Sequence, residues 1–515
     1  MTSDSGQGGW GMRDLEHFVG PSGFPNDEHD HYKNSMLWGV APQYATSEVL
    51  MGGAYREFVV EHSDGAIALE RILEIPASIG LVGGELEAWQ ELLRSPGGLA
   101  SPSPAGQKSR DGTRQSQLMP LVPEVARHAN VLGSPGHRWR PGALVASTIA
   151  AGIQPAEWDD YVHRFAAALS VDTSDDLLAR YVNERLRTTG GAAATIAGTA
   201  PPAPWRESTD RLTPSERFVL DLSEVIGLKP ELTRRQWTVL TETALRIGLG
   251  LHLMWTMRLN WGVWTYLLSV AEGEAPSRSH VDALWESHHV DPLLEAGADS
   301  GPQLRRVIQK FVEARLGINV ILKALDDSGH GWGARLGTAG VDTREELHTL
   351  ALHVDAHRAD LALAVSAACG GDLRRTVGAG IDSRPRLLAL SSGFSKNIRE
   401  YLRYSLGQLV PDDPEYQTYD QGYLLVPDPR RTGPGRVEIG PTALIYLTTV
   451  SSLATNSAHV SVDGFRDHLA AYGVQFPAGE LGTGRTIKSL ERLGLTIESP
   501  DAGGGRTIMS PLSRA

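Results

Sequence analysis

Apolar residues recur at helical spacing through most of the middle of the chain, residues 206–410. Thr213-Pro-Ser-Glu216 has the arrangement of a capping box with proline in the first turn, and Thr233-Arg-Arg-Gln236 repeats the box before a second apolar run. The segments 301–325 and 344–368 are also strongly periodic. This pattern predicts a central bundle of about six to eight helices.

The first 190 residues show two kinds of pattern. The stretch 55–75 alternates apolar and polar residues about a Ser-Asp-Gly turn, which predicts a β-hairpin. The stretch 156–170 instead repeats apolar residues at helical spacing and predicts a helix. We therefore expect a mixed α/β region over 1–190, with a flexible surface loop over 95–117, where polar residues, glycine and proline replace large apolar ones.

The most apolar run of the chain, residues 245–270, is interrupted by polar and charged residues: Arg246, His252, Arg258 and Asn260. Each of these is costly in a bilayer, so we interpret the run as a buried pair of helices and not as a membrane span. The first residues of the chain also lack the basic start and apolar core of a secretory signal. We expect a cytoplasmic protein that does not contact a membrane.

The composition is that of a globular protein with several domains. The chain has 515 residues, of which 41% are hydrophobic and 21% are charged, and its formal net charge is −13. Its single cysteine, Cys369, excludes an internal disulfide and a cysteine-based zinc site. The acidic balance excludes a globally basic DNA-binding surface, so any contact with nucleic acid depends on a local patch.

A proline- and glycine-rich connector, 411–440, leads to a C-terminal segment, 441–515, with a regular pattern of its own. Residues 441–454 and 462–474 each predict an apolar helix, and a glycine-rich turn separates them from a third. In the third helix the apolar residues share one face, and Gly494 follows where a helix commonly ends. The opposite face carries three cations spaced as neighbours: Arg485, Lys488 and Arg492.

After Gly494 the chain predicts a hairpin. Two short apolar pieces flank the turn-forming stretch Pro-Asp-Ala-Gly-Gly-Gly, and Arg506 follows that turn directly. The order helix, helix, turn, helix, hairpin resembles the winged-helix family over residues 441–515. The resemblance implies that the third helix enters the major groove of duplex DNA and that Arg506, on the wing, meets a phosphate.

The charge balance of this segment leaves its partner open. Residues 460–515 contain six basic and six acidic residues, and a module with net charge near zero binds DNA weakly by itself. Many winged helices bind proteins instead of DNA. Both DNA contact and protein contact are therefore compatible with the segment.

A second basic patch lies upstream, between residues 374 and 403. It holds seven basic residues against two acidic ones, the basic members being Arg374, Arg375, Arg384, Arg386, Lys396, Arg399 and Arg403. Phe394, Tyr401 and Tyr404 are interleaved, as a surface that stacks on bases requires, and Arg430 and Arg431 extend the run. The alternative is that the aromatics belong to the core and the arginines pair with carboxylates or carbonyls.

Two sets of residues in the helical middle have the types of a metal site. The steps Glu286–His289 and Glu345–His348, with Glu242 and Glu313, resemble the order found in carboxylate-bridged di-iron bundles. His353, His357 and Asp360 lie on one predicted helix, where they form either a divalent-ion site or a plain polar surface. No phosphate-binding loop, dinucleotide fingerprint or nucleophile elbow is present, so we predict no cofactor.

These patterns predict a mainly α protein with an N-terminal α/β region, a central helical bundle and a C-terminal winged helix. The function that suits them is a non-enzymatic, DNA-associated subunit of a bacterial multiprotein system for DNA modification or antiviral defence. Double-stranded DNA and other subunits, which carry nuclease, ATPase or helicase activity, are the expected partners. The alternatives are a metal-dependent enzyme with its site in the helical middle and a pure protein–protein scaffold.

Overall fold

The fold is known from a computed structural model and is mainly α-helical. The structure describes these parts of the chain: 15–19, 47–60, 83–84, 100–101, 117–118, 122–128, 140–177, 179–180, 183, 201, 211–332, 343–408, 421–427, 434–477, 479–497 and 506–512. Most of the predicted loop at 95–117 therefore lies outside the described residues, as do Arg430 and Arg431.

The N-terminal part contains short helices and one pair of two-residue strands. In chain order the elements are α1 (Leu15–Val19), α2 (Ser47–Phe58), β1 (Ala100–Ser101), β2 (Gln117–Leu118), α3 (Pro123–His128), α4 (Pro141–Gly152) and α5 (Trp158–Leu169). Strands β1 and β2 pair antiparallel. Helix α5 confirms the helix predicted over 156–170.

The hairpin predicted over 55–75 is wrong at its start. Tyr55 and Phe58 lie in the last turn of α2 and are both buried, together with Leu50, Met51 and Ala54. These buried residues are spaced at the helical period and not at the strand period. The alternation that predicted a strand begins only at residue 55, so it does not include the earlier turns of the helix. The second half of the predicted hairpin lies outside the described residues.

The middle of the chain is helical, as predicted, but the structure describes ten helices there and not six to eight. Its helices are α6 (Pro214–Gly227), α7 (Arg234–Glu272), α8 (Arg278–Trp285), α9 (Ser287–Val290), α10 (Ser300–Asp327), α11 (Arg344–Ala356), α12 (Arg358–Cys369), α13 (Leu373–Asp382), α14 (Pro385–Leu388) and α15 (Gly393–Leu406), with strand β3 (Leu294–Glu295) before α10. Both predicted capping boxes form. The amide of Thr213 donates to Glu216 over 2.7 Å, and that of Thr233 donates to Gln236 over 3.0 Å.

The apolar run at 245–270 belongs to one continuous helix, α7, and the predicted pair of helices is wrong. The helix contains glycines, and two of them lie where another chain segment crosses closely. A side chain at Gly248 would collide with Phe218, and one at Gly250 would collide with Leu406. The glycines therefore serve close packing and leave the helix intact.

The C-terminal part alternates helices with short strands. Its elements are β4 (Leu425–Pro427), β5 (Pro434–Val437), α16 (Pro441–Ala454), β6 (His459–Ser461), α17 (Val462–Ala471), β7 (Val474–Gln475), α18 (Glu480–Thr483), α19 (Arg485–Arg492), β8 (Thr496–Ile497) and β9 (Thr507–Met509). Strands β6, β9 and β8 form one antiparallel sheet in that order. Strands β4 and β5 form a separate antiparallel pair.

The described residues group into two compact units. The first draws on 1–39, 256–284 and 307–395. In its core the Trp264 ring lies against Gly317, where no larger residue fits, and the Phe311 and Phe394 rings meet edge to face at 6.2 Å. Helix α1 packs on α12 and α13.

The second unit draws on 40–255, 285–306 and 396–515. Helix α2 packs against α4, and α4 packs against α6. Helix α6 also contacts α16 of the C-terminal part. Phe58 of α2 meets Phe165 of α5 edge to face, with ring centroids 5.2 Å apart. The C-terminal segment therefore shares a compact unit with helices from the first half of the chain.

The structure also bears on the membrane prediction. Among the described helices, none combines the length and the apolar character needed to cross a bilayer.

Candidate nucleic-acid interface

Helix α19 is held at its start by a carboxylate. The Glu480 side chain accepts hydrogen bonds from the backbone amide of Thr486 over 3.0 Å and from its hydroxyl over 3.1 Å. Glycine at position 484 leaves room for this carboxylate, because a side chain there would overlap it. The first turn of α19 thus gains a donor-satisfying cap from α18 in place of the usual residue preceding the helix.

Helix α19 ends at Gly494, as the sequence predicted. Gly494 has φ 71, the left-handed conformation that glycine adopts without strain. The amide of Leu495 donates to the backbone carbonyl of Leu490 over 2.9 Å, and the amide of Gly494 donates to the backbone carbonyl of Glu491 over 3.0 Å. This pair of bonds closes the helix and directs buried Leu495 back towards the core.

The two faces of α19 differ sharply in polarity. Thr486, Ile487 and Leu490 form the buried face of the helix. The three cations, Arg485, Lys488 and Arg492, are exposed. The predicted outward projection of these three side chains is therefore found in the structure.

The charges of these cations are little neutralised. Arg485 is 63% exposed and lies 3.5 Å from the Glu438 carboxylate, a long contact. Arg492 donates to the Lys488 carbonyl and the Ser489 hydroxyl. Within the part of the chain that the structure describes, neither Lys488 nor Arg492 forms a salt bridge. The face keeps most of its positive charge available to a polyanion.

Glu491, the one acidic residue of α19, forms an ion pair with Arg506, the residue predicted to contact DNA from the wing. Arg506 Nη1 lies 3.1 Å from Glu491 Oε1, so the guanidinium of Arg506 is paired across to the helix. This pairing offsets the charge of Glu491, whose side chain is 41% exposed beside the three cations. Residues 498–505, between β8 and β9, lie outside the described part.

A three-stranded sheet stands behind the helices. Val460 of β6 pairs with Ile508 of β9, and Thr496 of β8 pairs with the same Ile508. Ile508 and Val460 are buried, so the sheet covers the core formed by α16 and α17. From α16 onward the order is helix, strand, helix, strand, two helices and the β8–β9 pair, with the charged α19 directly before that pair.

The C-terminal segment is joined to the rest of its unit by a parallel strand pair. Leu294 and Glu295 of β3 pair with Val474 and Gln475 of β7. Around them, the amide of Leu293 donates to the Gly473 carbonyl over 2.8 Å. These bonds fix the position of α17 and hence of the helix that follows it.

A buried polar network makes a second joint. Asp221 of α6 accepts from Arg217 Nε over 2.8 Å and from the Tyr472 hydroxyl over 2.8 Å, and it lies 2.9 Å from His468 Nε2. The Tyr446 hydroxyl lies 3.4 Å from that of Tyr472. This network links α6 to α16 and α17 through buried side chains.

The network depends on the charge of Asp221. Burial alone would raise the pKa of this carboxyl, but His468, Arg217 and Tyr472 outweigh burial and hold its pKa below the usual range. Burial, followed by the negative charge of Asp221, raises the pKa of Tyr472 and of Tyr446 well above 10.0. The tyrosines therefore stay protonated and can donate.

The second basic patch is divided between the two compact units. In the first unit, Arg374 forms a bidentate pair with Glu272, at 2.8 and 2.7 Å. Arg384 is buried and donates to the carbonyls of Gly380 and Val19. Both arginines thus have protein partners, as the alternative interpretation expected.

The residues of this patch in the second unit are only partly exposed. Lys396 lies 3.7 Å from Glu400, Arg403 is exposed beside the Tyr404 ring, and Arg399 is half-buried. The expectation that Phe394 and Tyr401 can stack on bases is wrong, because they are only 8% and 0% exposed and belong to the core. Their spacing fits the buried face of α15, which the sequence alone did not separate from a stacking surface.

The di-iron-like set does not assemble. Glu345 is paired with Arg278, Glu242 with Arg246, and His289 Nε2 lies 3.2 Å from the Leu212 carbonyl. Among the described residues, Glu286, His289, Glu345 and His348 take no part in any group of three metal-ligand side chains.

Sequence patterns missed the residues that position α19. Glu480 and Glu491 were counted only as acidic charges, and Asp221 was not considered because it is 247 residues from His468.

No protein-family model and no curated protein matches this sequence.

Proposed function

We propose that this chain is a non-enzymatic, DNA-associated subunit that contacts duplex DNA through a C-terminal winged helix, residues 441–515. The observation that carries the proposal is the exposed cationic face of α19, formed by Arg485, Lys488 and Arg492 above a buried apolar face. The antiparallel sheet order β6–β9–β8, with β6 between α16 and α17 and the β8–β9 pair after α19, agrees with that family. In this proposal α19 is the recognition helix.

The dimensions of α19 suit this role. An α-helix with its side chains is about 10–12 Å across, and the major groove of B-DNA is about 12 Å wide, so the groove can admit α19. Recognition helices present their N-terminal residues to base edges, which places Arg485 and Lys488 nearest the bases. Arg492, one turn further on, is suited to a phosphate.

The charge of the chain indicates weak binding by this protein alone. Three cations that each neutralise one phosphate give a salt dependence with a log–log slope of about −3, which is small for a specific DNA-binding protein. The rest of the chain is acidic, with a formal net charge of −13. We therefore propose a subunit of a larger bacterial, cytoplasmic assembly for DNA modification or antiviral defence, in which partner chains supply nuclease, ATPase or helicase activity.

The proposal predicts that Lys488→Glu/Arg492→Glu weakens binding to duplex DNA by at least ~100-fold at low salt, because attraction to phosphate becomes repulsion. The measurement is an electrophoretic mobility shift or fluorescence anisotropy titration with the full chain. The matched control is Arg305→Glu/Arg306→Glu on α10, which makes the same charge change at two other exposed arginines. The control should alter affinity by no more than about threefold, since screening weakens distant charges.

A scaffold that binds only protein predicts a different outcome. In that case the wild-type chain does not bind duplex DNA. Equal weakening by both charge-reversal variants would instead indicate non-specific attraction between the protein and DNA. Either result would overturn the proposed role of α19.

A further inference from the structure

Three metal-ligand side chains meet in the first compact unit. His330 follows α10, His357 lies at the junction of α11 and α12, and Asp360 is in the first turn of α12. His330 Nε2 is 3.0 Å from Asp360 Oδ2, and the His330 and His357 rings stack at 3.7 Å. One possible ligand atom from each residue lies within 4.8 Å of the others, the only such group among the described residues.

A third histidine, His353, fixes the backbone of this group. His353 Nε2 donates to the His330 carbonyl over 2.8 Å, since a carbonyl can only accept. The His353 ring also packs beside Trp332, at 5.4 Å between centroids, and beside His357, at 4.6 Å. His353 is therefore a supporting residue and not a ligand, which differs from the sequence prediction that grouped it with His357 and Asp360.

We propose that His330, His357 and Asp360 bind one divalent transition-metal ion, for which zinc is the closest chemical match. Two imidazole nitrogens and one carboxylate oxygen are ligands that zinc favours, at about 2.0–2.2 Å each. Asp360 is 54% and His330 is 30% exposed at the side chain, so both can turn inward to reach one ion. Three protein ligands leave a coordination position for water.

The placement of the ligands gives the ion a structural effect. They come from the end of α10 and from the corner between α11 and α12, segments that His353 already connects through the His330 carbonyl. A metal ion that binds only the folded state stabilises it by mass action. Zinc should therefore raise the thermal midpoint of this unit.

The test is a calorimetric titration of the metal-stripped full chain with zinc. The proposal predicts saturable binding of one equivalent per chain, and a loss of affinity of at least ~100-fold in His357→Ala and in Asp360→Asn, more than the cost of losing an outer partner. The control is His163→Ala, an exposed histidine of α5 in the other unit, which should bind zinc as the wild type does. Zinc should raise the thermal midpoint of the wild type but not that of Asp360→Asn.

Asp360→Asn keeps the shape of an exposed side chain, so it remains informative if His357→Ala does not fold. Absence of saturable zinc binding by the wild type would overturn the proposal, and so would wild-type affinity in Asp360→Asn. The metal proposal does not depend on DNA binding, because its ligands lie outside the C-terminal segment.

Discussion

Replacing Asp221 by alanine is expected to lower the free energy of unfolding by about 3–5 kcal/mol, the range for removing one partner of a buried ion pair. The variant leaves the Arg217 guanidinium buried without its carboxylate, only 10% of that side chain being exposed. It also removes the acceptor of the Tyr472 hydroxyl and the partner of His468. Because this network joins α6 to α16 and α17, the C-terminal segment should loosen first.

Urea denaturation followed by circular dichroism measures this effect. The matched control is Asp160→Ala, since Asp160 and Arg164 also form an i,i+4 pair, at 2.9 Å, but with 77% and 50% of their side chains exposed. Exposed pairs of this kind contribute about 0.3–0.5 kcal/mol. Equal losses in the two variants would show that the Asp221 network does not stabilise the fold.

The same network predicts a pH dependence. The pKa of Asp221 is lower in the folded state than the value of about 3.9 for an unfolded aspartate. Its stabilising contribution is therefore complete above that value and is lost as the pH falls through the folded pKa. The difference in thermal midpoint between wild type and Asp221→Asn should be constant near neutral pH and shrink in acid. A difference that stays constant into acid would contradict the assigned charge of Asp221.

Replacing Arg234 by methionine is expected to lower the free energy of unfolding by about 2–6 kcal/mol, because buried acceptors lose a charged donor at about 1–3 kcal/mol each. The Arg234 side chain is fully buried, lies 3.6 Å from Asp175 and donates to the Tyr55 hydroxyl over 3.0 Å. It also donates to the last carbonyls of α5 and its following residue: Ala168, Leu169 and Ser170. Methionine keeps the apolar stem but removes the donor to the Ala168 and Leu169 carbonyls. The Ser170 carbonyl and Asp175 keep Lys229 as a partner, at 2.7 and 3.5 Å.

Thermal or urea denaturation of Arg234→Met checks this prediction. The neighbouring Arg235 is exposed, so Arg235→Met is the matched control and should change stability by no more than about 0.5 kcal/mol. A loss below about 1 kcal/mol in Arg234→Met would mean that water or other side chains satisfy the carbonyls of α5.

Local chemistry made much of the secondary structure predictable. The capping boxes at Thr213 and Thr233 mark the starts of α6 and α7, and residues 441–454 form α16 with the predicted bounds. Gly494 ends α19 as expected. In each case the decisive residues lie within one helical turn of the boundary, so the sequence contains the whole determinant.

Long-range partners were the part that the sequence did not reveal. His330 is 27 residues before His357, and Asp221 meets side chains more than 240 residues away, so no spacing rule brings them together. Arg234 and Arg246 were also unexpected in the core, since arginine is rarely fully buried without a network of acceptors. The exposed face of α19 was predictable because the apolar residues of this helix lie on one face, so its cations must lie on the opposite face.

The most direct test of the DNA-binding role is the salt dependence of duplex DNA affinity, compared between wild type and Lys488→Ala/Arg492→Ala. If both side chains contact phosphates, the log–log slope of the variant should be shallower by about 2, close to 0.9 per lost contact. Equal slopes for the two proteins would contradict the assignment of α19 as the DNA-contacting helix.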